Sequence, residues 1–192
     1  IDQASRFIFP VSDKSFGPGG VAGYLCEGTQ SEEPLKTPNL SDIRNQAILA
    51  AHSQMEFSYV SARQLSQFET EQFGVMTNNF DGPIFFPIAT HKGVAEAKRY
   101  TAHGHYVIAI QTIFQSPLTF TFKEKIEVFI SCVSRGIPIS LITQPFSGQS
   151  GPMTPYGLAV LAFAEFLAGL ALAYSINPNV KIINGALPTM CT

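Results

Sequence analysis

From Pro38 onward, short apolar runs and helix-like segments alternate five times, and no other feature limits the fold as tightly. The runs are Glu56–Val60 (EFSYV), Pro83–Ala89 (PIFFPIA), His105–Gln111 (HYVIAIQ), Pro138–Thr143 (PISLIT) and Val180–Asn184 (VKIIN). They are short and apolar rather than strictly alternating, the pattern of strands buried on both faces in a parallel sheet covered by helices. Between them the spacing predicts helices over 41–53, 69–79, 92–102, 123–134 and 155–175. Ser41 is the expected N-cap of the first. Pro155 suits the first turn of the last, and Gly136 stands just past the end of the fourth. Residues 123–134 put Ile126, Phe129, Ile130 and Val133 on one apolar face, with Cys132 among them as core.

Two α/β architectures fit this order: a (β/α) barrel and a doubly wound open sheet. No strand is followed by G-x-G-x-x-G, and no G-x-x-x-x-G-K-[ST] is present, which weakens the nucleotide-binding open sheets. A full barrel needs eight units and about 250 residues, so five units would be part of one. The chain begins without Met and stops soon after a strand, and is expected to be a piece of a longer or processed product. Residues 1–38 read differently. Ser15–Gly23 (SFGPGGVAG) is turn-rich, Val21–Cys26 could form a short strand and Leu35–Thr37 a poor second one, with Ser31–Pro34 turning between them. This stretch is expected to be an irregular cap or hairpin before a barrel-like segment over 39–192.

Of the 192 residues, 45% are hydrophobic and only 14% charged, against about 25% charged in average soluble domains. Such a surface is expected to be covered in part by more chain, a second subunit or a partner. A net charge of −2 and the absence of any Lys/Arg-rich run speak against nucleic acid as a partner. Three dispersed cysteines, Cys26, Cys132 and Cys191, fit neither a disulfide framework nor a metal knuckle, and suit reduced thiols in the cytoplasm. No His/Cys/Asp/Glu cluster has zinc spacing. Tyr156–Ile176 (YGLAVLAFAEFLAGLALAYSI) is long enough to span a bilayer. Glu165 near its centre, the missing basic flanks and the many small residues favour a helix packed between a sheet and another subunit instead.

In either architecture ligands bind beyond the carboxyl ends of the strands. The residues that follow the five strands are Ser61, Arg63 and Gln64; then Thr90, His91 and Lys92; then Gln111, Thr112, Gln115 and Ser116; then Gln144, Phe146, Ser147, Gln149 and Ser150; then Asn184 and Gly185. This rim is rich in amides and hydroxyls and poor in acids, which suits a polar or zwitterionic small molecule better than a metal. His91 is the sharpest single candidate, as a base, a donor to a carboxylate or a ligand; its structural reading is a histidine that caps its own helix. His103 and His105 precede a strand, the side that serves stability in barrels, and His52 suits the negative end of its helix. Phe114 and Phe146 could wall a site and attract a quaternary ammonium group, or simply fill core. The loop from Gln144 to Thr154 (QPFSGQSGPMT) leads into the long helix. Its glycines and the helix start could bring backbone N–H groups to a substrate carboxylate, or it could be a plain reversing turn. Glu165 reads as a hydrogen-bonded structural carboxylate.

The stretches Gln115-Ser116-Pro117-Leu118, Gly136-Ile137-Pro138, Gly148-Gln149-Ser150-Gly151-Pro152-Met153-Thr154, Ala164-Glu165-Phe166-Leu167-Ala168-Gly169 and Asn177-Pro178, in this order and spacing, resemble the trimethylamine methyltransferase family. That family holds pyrrolysine-containing trimethylamine enzymes and pyrrolysine-free relatives that act on glycine betaine and similar amines. The resemblance covers most of the chain, most closely from about Gly104. It implies a TIM-type fold, here a partial (β/α)8 barrel with an irregular cap. It also implies methyl transfer from an amine nitrogen to the cobalt of cob(I)alamin, carried by a separate corrinoid protein, with no cofactor held by the chain itself. Cob(I)alamin is a strong nucleophile, so no protein nucleophile is needed. Under this reading His91, Gln111, Phe114, Gln115, Ser116, Gln144, Phe146, Gly148, Ser150, Thr154 and Asn184 are the substrate-binding candidates, and no catalytic residue is assigned. Departures at Gln149, Pro155, Tyr174 and Asn179 bear on which amine is the substrate. The rival expectations are a non-catalytic half-barrel that binds a betaine-like ligand and pairs with itself through 156–176, and a barrel enzyme using Lys92 or Lys181 as a Schiff-base amine. A homo-oligomer is expected in the first two readings.

Overall fold

The computed structural model describes residues 19–22, 39–52, 58–62 and 69–190. The chain divides into two compact units, the first made of 1–86 and 99–107, the second of 87–98 and 108–192.

In the first unit, strands β1 (Gly19–Ala22), β2 (Ser58–Ala62) and β3 (Ile84–Pro87) run parallel, with Gly19 opposite Tyr59 and Ser58 opposite Ile84. The parallel pairing of β1 differs from the expected cap hairpin, whose other parts lie outside the described residues. Helices α1 (Leu40–His52) and α2 (Glu69–Asn79) pack on each other. Their buried faces contribute Ile43, Ala47, Ala50, Phe73 and Met76. Phe73 meets Phe86 at 4.5 Å and stacks on Tyr100 at 5.5 Å, and His105 meets Tyr100 edge-on. The cap of α1 is Asn39 rather than Ser41. Asn39 Oδ1 accepts from the Ser41 N–H at 2.8 Å, and Asp42 Oδ2 accepts from the Asn39 N–H at 2.8 Å. The Asp42 N–H also donates to Asn39 Oδ1 at 3.3 Å, so the two residues cap each other, two positions ahead of the expected serine.

The second unit holds most of α3 (His91–Ala102) and of β4 (Val107–Gln111), then β5 (Phe114–Gln115), β6 (Thr119–Phe120), α4 (Lys123–Ser134), β7 (Ile139–Leu141), α5 (Pro155–Ile176) and β8 (Ile182–Asn184). Strands β4, β7 and β8 are parallel neighbours in that order. Val107, Ile108, Ala109, Ile139 and Leu141 are buried, as the continuous apolar runs required. The β5–β6 antiparallel hairpin was not expected: two-residue strands leave no periodic signal.

Helix α4 buries Val128, Phe129, Cys132 and Val133, while Ile130 is exposed and Ile126 half-buried. The buried stripe is thus rotated by about 80°, less than a quarter turn, from the expected one, with Val128 and Cys132 taking the places of Ile126 and Ile130. Gly136 ends the helix at φ +70°, a conformation that glycine adopts without penalty. The carbonyls at this end find donors distant in sequence: Asn177 Nδ2 donates to the Val133 carbonyl at 2.9 Å and Lys98 Nζ to the Arg135 carbonyl at 3.1 Å. A cation is favourable there, where the helix dipole is negative.

Helix α5 is buried along one line only: Leu158, Ala162, Glu165, Gly169 and Ala173. It is long and apolar enough to cross a membrane by length and composition. Its other side leaves Tyr156, Val160, Phe163, Leu167 and Tyr174 exposed in this chain.

Candidate active site at the strand ends

Strand pairing sets the rim. Gln111 of β4 stands opposite Leu141 of β7, which stands opposite Asn184 of β8. Beyond these positions the chain keeps its register: the Ile142 N–H donates to the Gln111 carbonyl, Gly185 to Leu141, Leu187 to Thr143 and Thr189 to Pro145. Residues 144–154 and 184–189 are therefore held side by side at the carboxyl ends of parallel strands, where α/β folds place ligands.

Several expected binding residues spend their side chains on the frame. Gln111 is buried and its Nε2 donates to the Ile88 carbonyl at 2.8 Å. Phe114 is buried, stacked on Phe120 with centroids 5.2 Å apart. Ser150 Oγ accepts from the Phe146 N–H at 3.0 Å, Thr154 Oγ1 accepts from the Gly157 N–H at 3.2 Å, and Asn184 Oδ1 accepts from the Ala186 N–H at 3.0 Å. Thr154 is thereby the N-cap of α5, and Pro155 its first residue.

Between Phe146 and Gly151 the loop offers no backbone cradle. Its N–H groups from Phe146 to Gly151 are all engaged: Phe146 with Ser150 Oγ, Ser147 with the Thr189 carbonyl, Gly148 with that of Gly151, and Gln149, Ser150 and Gly151 with that of Phe146. Gly148, at φ +70°, lets the chain close on itself. From Phe146 to Gly151 the backbone N–H groups are spent on the turn and on Thr189, so a carboxylate at that stretch is met by side chains.

Of the set, His91, Gln115, Gln144, Gly148, Thr154 and Asn184 are exposed, and Ser116, Phe146 and Ser150 are half-buried. His91 opens α3 without capping it; Thr90 Oγ1 accepts from the Gly93 N–H at 2.9 Å and takes that task. Lys92 is exposed on the next helical position after β3, and Lys181 is exposed just before β8 rather than beyond its end. His52 and His103 bond through Nδ1 to carbonyls four residues back, Ile48 and Arg99, as helix-end residues. Ser61 lies in β2, while Arg63 and Gln64 fall outside the described residues. Among the described residues no group of three or more His, Cys, Asp and Glu is arranged to hold a metal ion.

One contact escaped the sequence reading. Glu165, fully buried in α5, accepts from Ser116 Oγ at 2.9 Å through Oε2 and from the Leu118 N–H at 3.0 Å through Oε1. The Ser116–Pro117 bond is cis. One helical turn on, a side chain at Gly169 would collide with Leu141 and press on Ile113 and Phe114 at 3.4 Å. Glu165 and Gly169 thus share the face of α5 on which the β5–β6 hairpin rests. The signal was present in the four-residue spacing of the acid and the glycine, but nothing in it named Ser116 as the partner.

The segment carrying this geometry is also the one that finds relatives. The family model of trimethylamine methyltransferase (MTTB) matches residues 90–191, just over half of the chain. No curated protein matches the chain. The match begins at the rim residue after β3 and takes in the hairpin, the loop before α5 and α5 itself, and the chain belongs to the trimethylamine methyltransferase family.

Proposed function

We propose that this chain is part of a methyltransferase that moves a methyl group from a tertiary or quaternary amine, trimethylamine or a betaine, to the cobalt of a reduced corrinoid held by a separate protein. We infer also that its parallel strands form part of a TIM-type (β/α)8 barrel working in the cytoplasm. The observation that carries the reading is the family match over the segment whose strand ends hold an acid-poor rim.

The chemistry asks little of the protein beyond binding and orientation. The carbon–nitrogen bond breaks with its electron pair left on nitrogen, and the methyl carbon takes an electron pair from cobalt(I), the second substrate. No side chain needs to act as nucleophile. An aromatic face stabilises the ammonium without hydrogen bonds, and half-buried Phe146 is the candidate for it. The amides of Gln115 and Gln144, with His91, are suited to a betaine carboxylate. Gln111, Ser150, Thr154 and Asn184 support them by fixing the loops. Glycine betaine or trimethylamine mixed with the protein and cob(I)alamin should give the methylcob(III)alamin spectrum. No spectral change with either amine would reject the reading.

One observation favours an assembly role beside catalysis: the uncovered apolar line along α5 suits pairing with a second copy. Tight binding of an amine by an oligomer that transfers no methyl group would support that reading instead.

A further inference from the structure

We propose that Glu165 is a positioning residue: its buried carboxylate fixes the 114–120 hairpin, and through it Gln115, at the rim. The inference rests on the methyl-transfer reading for its kinetic consequence and on geometry for the rest.

Glu165 is 0% exposed on an otherwise apolar helix. A carboxylate in such a place is tolerated only when hydrogen-bonded. Both of its described partners come from one short turn, Ser116 and Leu118. Leu118 has φ +46°, a region that a residue with a branched side chain enters at a cost and holds only with outside support. The carboxylate supplies that support at the very N–H of the strained residue. Gly169 seats Phe114 against the same helix face, so α5 holds the start of the hairpin by packing and its tip by charge-assisted bonds. Gln115 lies between these two fixed points, exposed, four residues beyond the end of β4. Glu165 touches no rim residue's amide itself, so any effect on the amine must pass through the hairpin.

The test uses the full chain with three substitutions. Glu165→Leu keeps apolar bulk in the helix and removes both acceptors. Glu165→Gln can still accept from Leu118 and donate to Ser116, so it serves as the conservative rescue. Ser116→Ala removes one bond without altering α5, and covers the case in which the leucine variant fails to fold. Amide hydrogen exchange at Leu118 is read beside KM and kcat for glycine betaine and trimethylamine with cob(I)alamin. In Glu165→Leu, exchange at Leu118 should quicken and KM rise about tenfold with kcat much less changed, as expected for a lost charge-assisted bond. Ser116→Ala should move both in the same direction by a smaller factor, and Glu165→Gln should stay near the parent. Unchanged exchange in both Glu165→Leu and Ser116→Ala overturns the contact. Faster exchange with unchanged KM overturns the positioning role. A parent protein that turns over neither amine fails the methyl-transfer reading alone, and exchange at Leu118 then decides the Glu165 contact.

Discussion

Ser116 and Glu165 are 49 residues apart in sequence and joined by a 2.9 Å hydrogen bond between a half-buried hydroxyl and a fully buried carboxylate. Removing the hydroxyl leaves one carboxylate oxygen without that donor in a place water does not reach. Ser116→Ala should therefore lower stability by about 1–3 kcal/mol. A urea titration with unchanged slope and a lower midpoint is the expected record. A midpoint equal to the parent's would mean that water replaces the hydroxyl.

Gly169 faces the opposite problem, since the space for a side chain is already taken by Leu141, Ile113 and Phe114. Leu141 is itself fully buried and cannot swing into solvent. Gly169→Val should cost about 1–3 kcal/mol through overpacking. Gly169→Ala should cost less, because alanine returns about 1 kcal/mol of helix propensity. Thermal melts should rank the two below the parent in that order, and a valine variant as stable as the parent would show that α5 can shift off β7.

The loop before α5 offers a separable effect. Gly148 at φ +70° closes a turn in which the N–H groups of Gly148 to Gly151 bond within the turn. Gly148→Ala places a Cβ in the left-handed region at a cost of about 1 kcal/mol. The added carbon meets only Met153 at 3.6 Å, an ordinary contact, so the cost is conformational rather than steric. Stability should fall slightly, while hydrogen exchange over 146–151 should rise well before exchange in α5. A uniform rise across both segments would show that loop and helix open together.

How far the sequence could be read follows from what each feature depends on. The five strand and helix alternations were legible because burial on both faces makes runs such as HYVIAIQ continuous, and α4 matches residues 123–134 as expected. Strand bounds moved by at most two residues: Gln111 and Asn184 end their strands as expected, while β3 and β7 stop two residues early, since apolar character runs past the last ladder bond. The N-cap went to Asn39 because a two-way bond with Asp42 outweighs a lone serine. Candidate residues were found by their place after strands, yet place alone did not separate Gln144, which is exposed, from Gln111, which is clipped to Ile88. That distinction depends on which carbonyl lies within reach, and sequence spacing does not encode it. The Ser116–Glu165 contact was hidden for the same reason: it joins two local motifs through tertiary packing.

The exposed line on α5 leads to the last prediction. Tyr156, Val160, Phe163, Leu167 and Tyr174 are exposed by 87%, 70%, 53%, 46% and 47%, and half-buried Leu170 completes a spacing of alternating four and three residues. That spacing keeps one seam in line along a helix and suits a second helix with the same seam. Glu165, the one charged side chain of α5, lies on the opposite, buried line, so pairing need not bury it anew. With aromatic side chains able to bury 150–250 Å² each, the line offers on the order of 600 Å². Two copies would bury roughly twice that, near the lower bound of about 1,200 Å² for a stable pair. The parent should therefore sediment as a dimer or larger at micromolar concentration, and Phe163→Glu should shift it to the monomer, because a carboxylate would meet its own image across the seam. Exchange at Leu118 should be unaffected by this change, since the hairpin rests on the other face. A parent that sediments as a monomer at all concentrations, or one that binds neutral lipid vesicles through this helix, would reject pairing along α5.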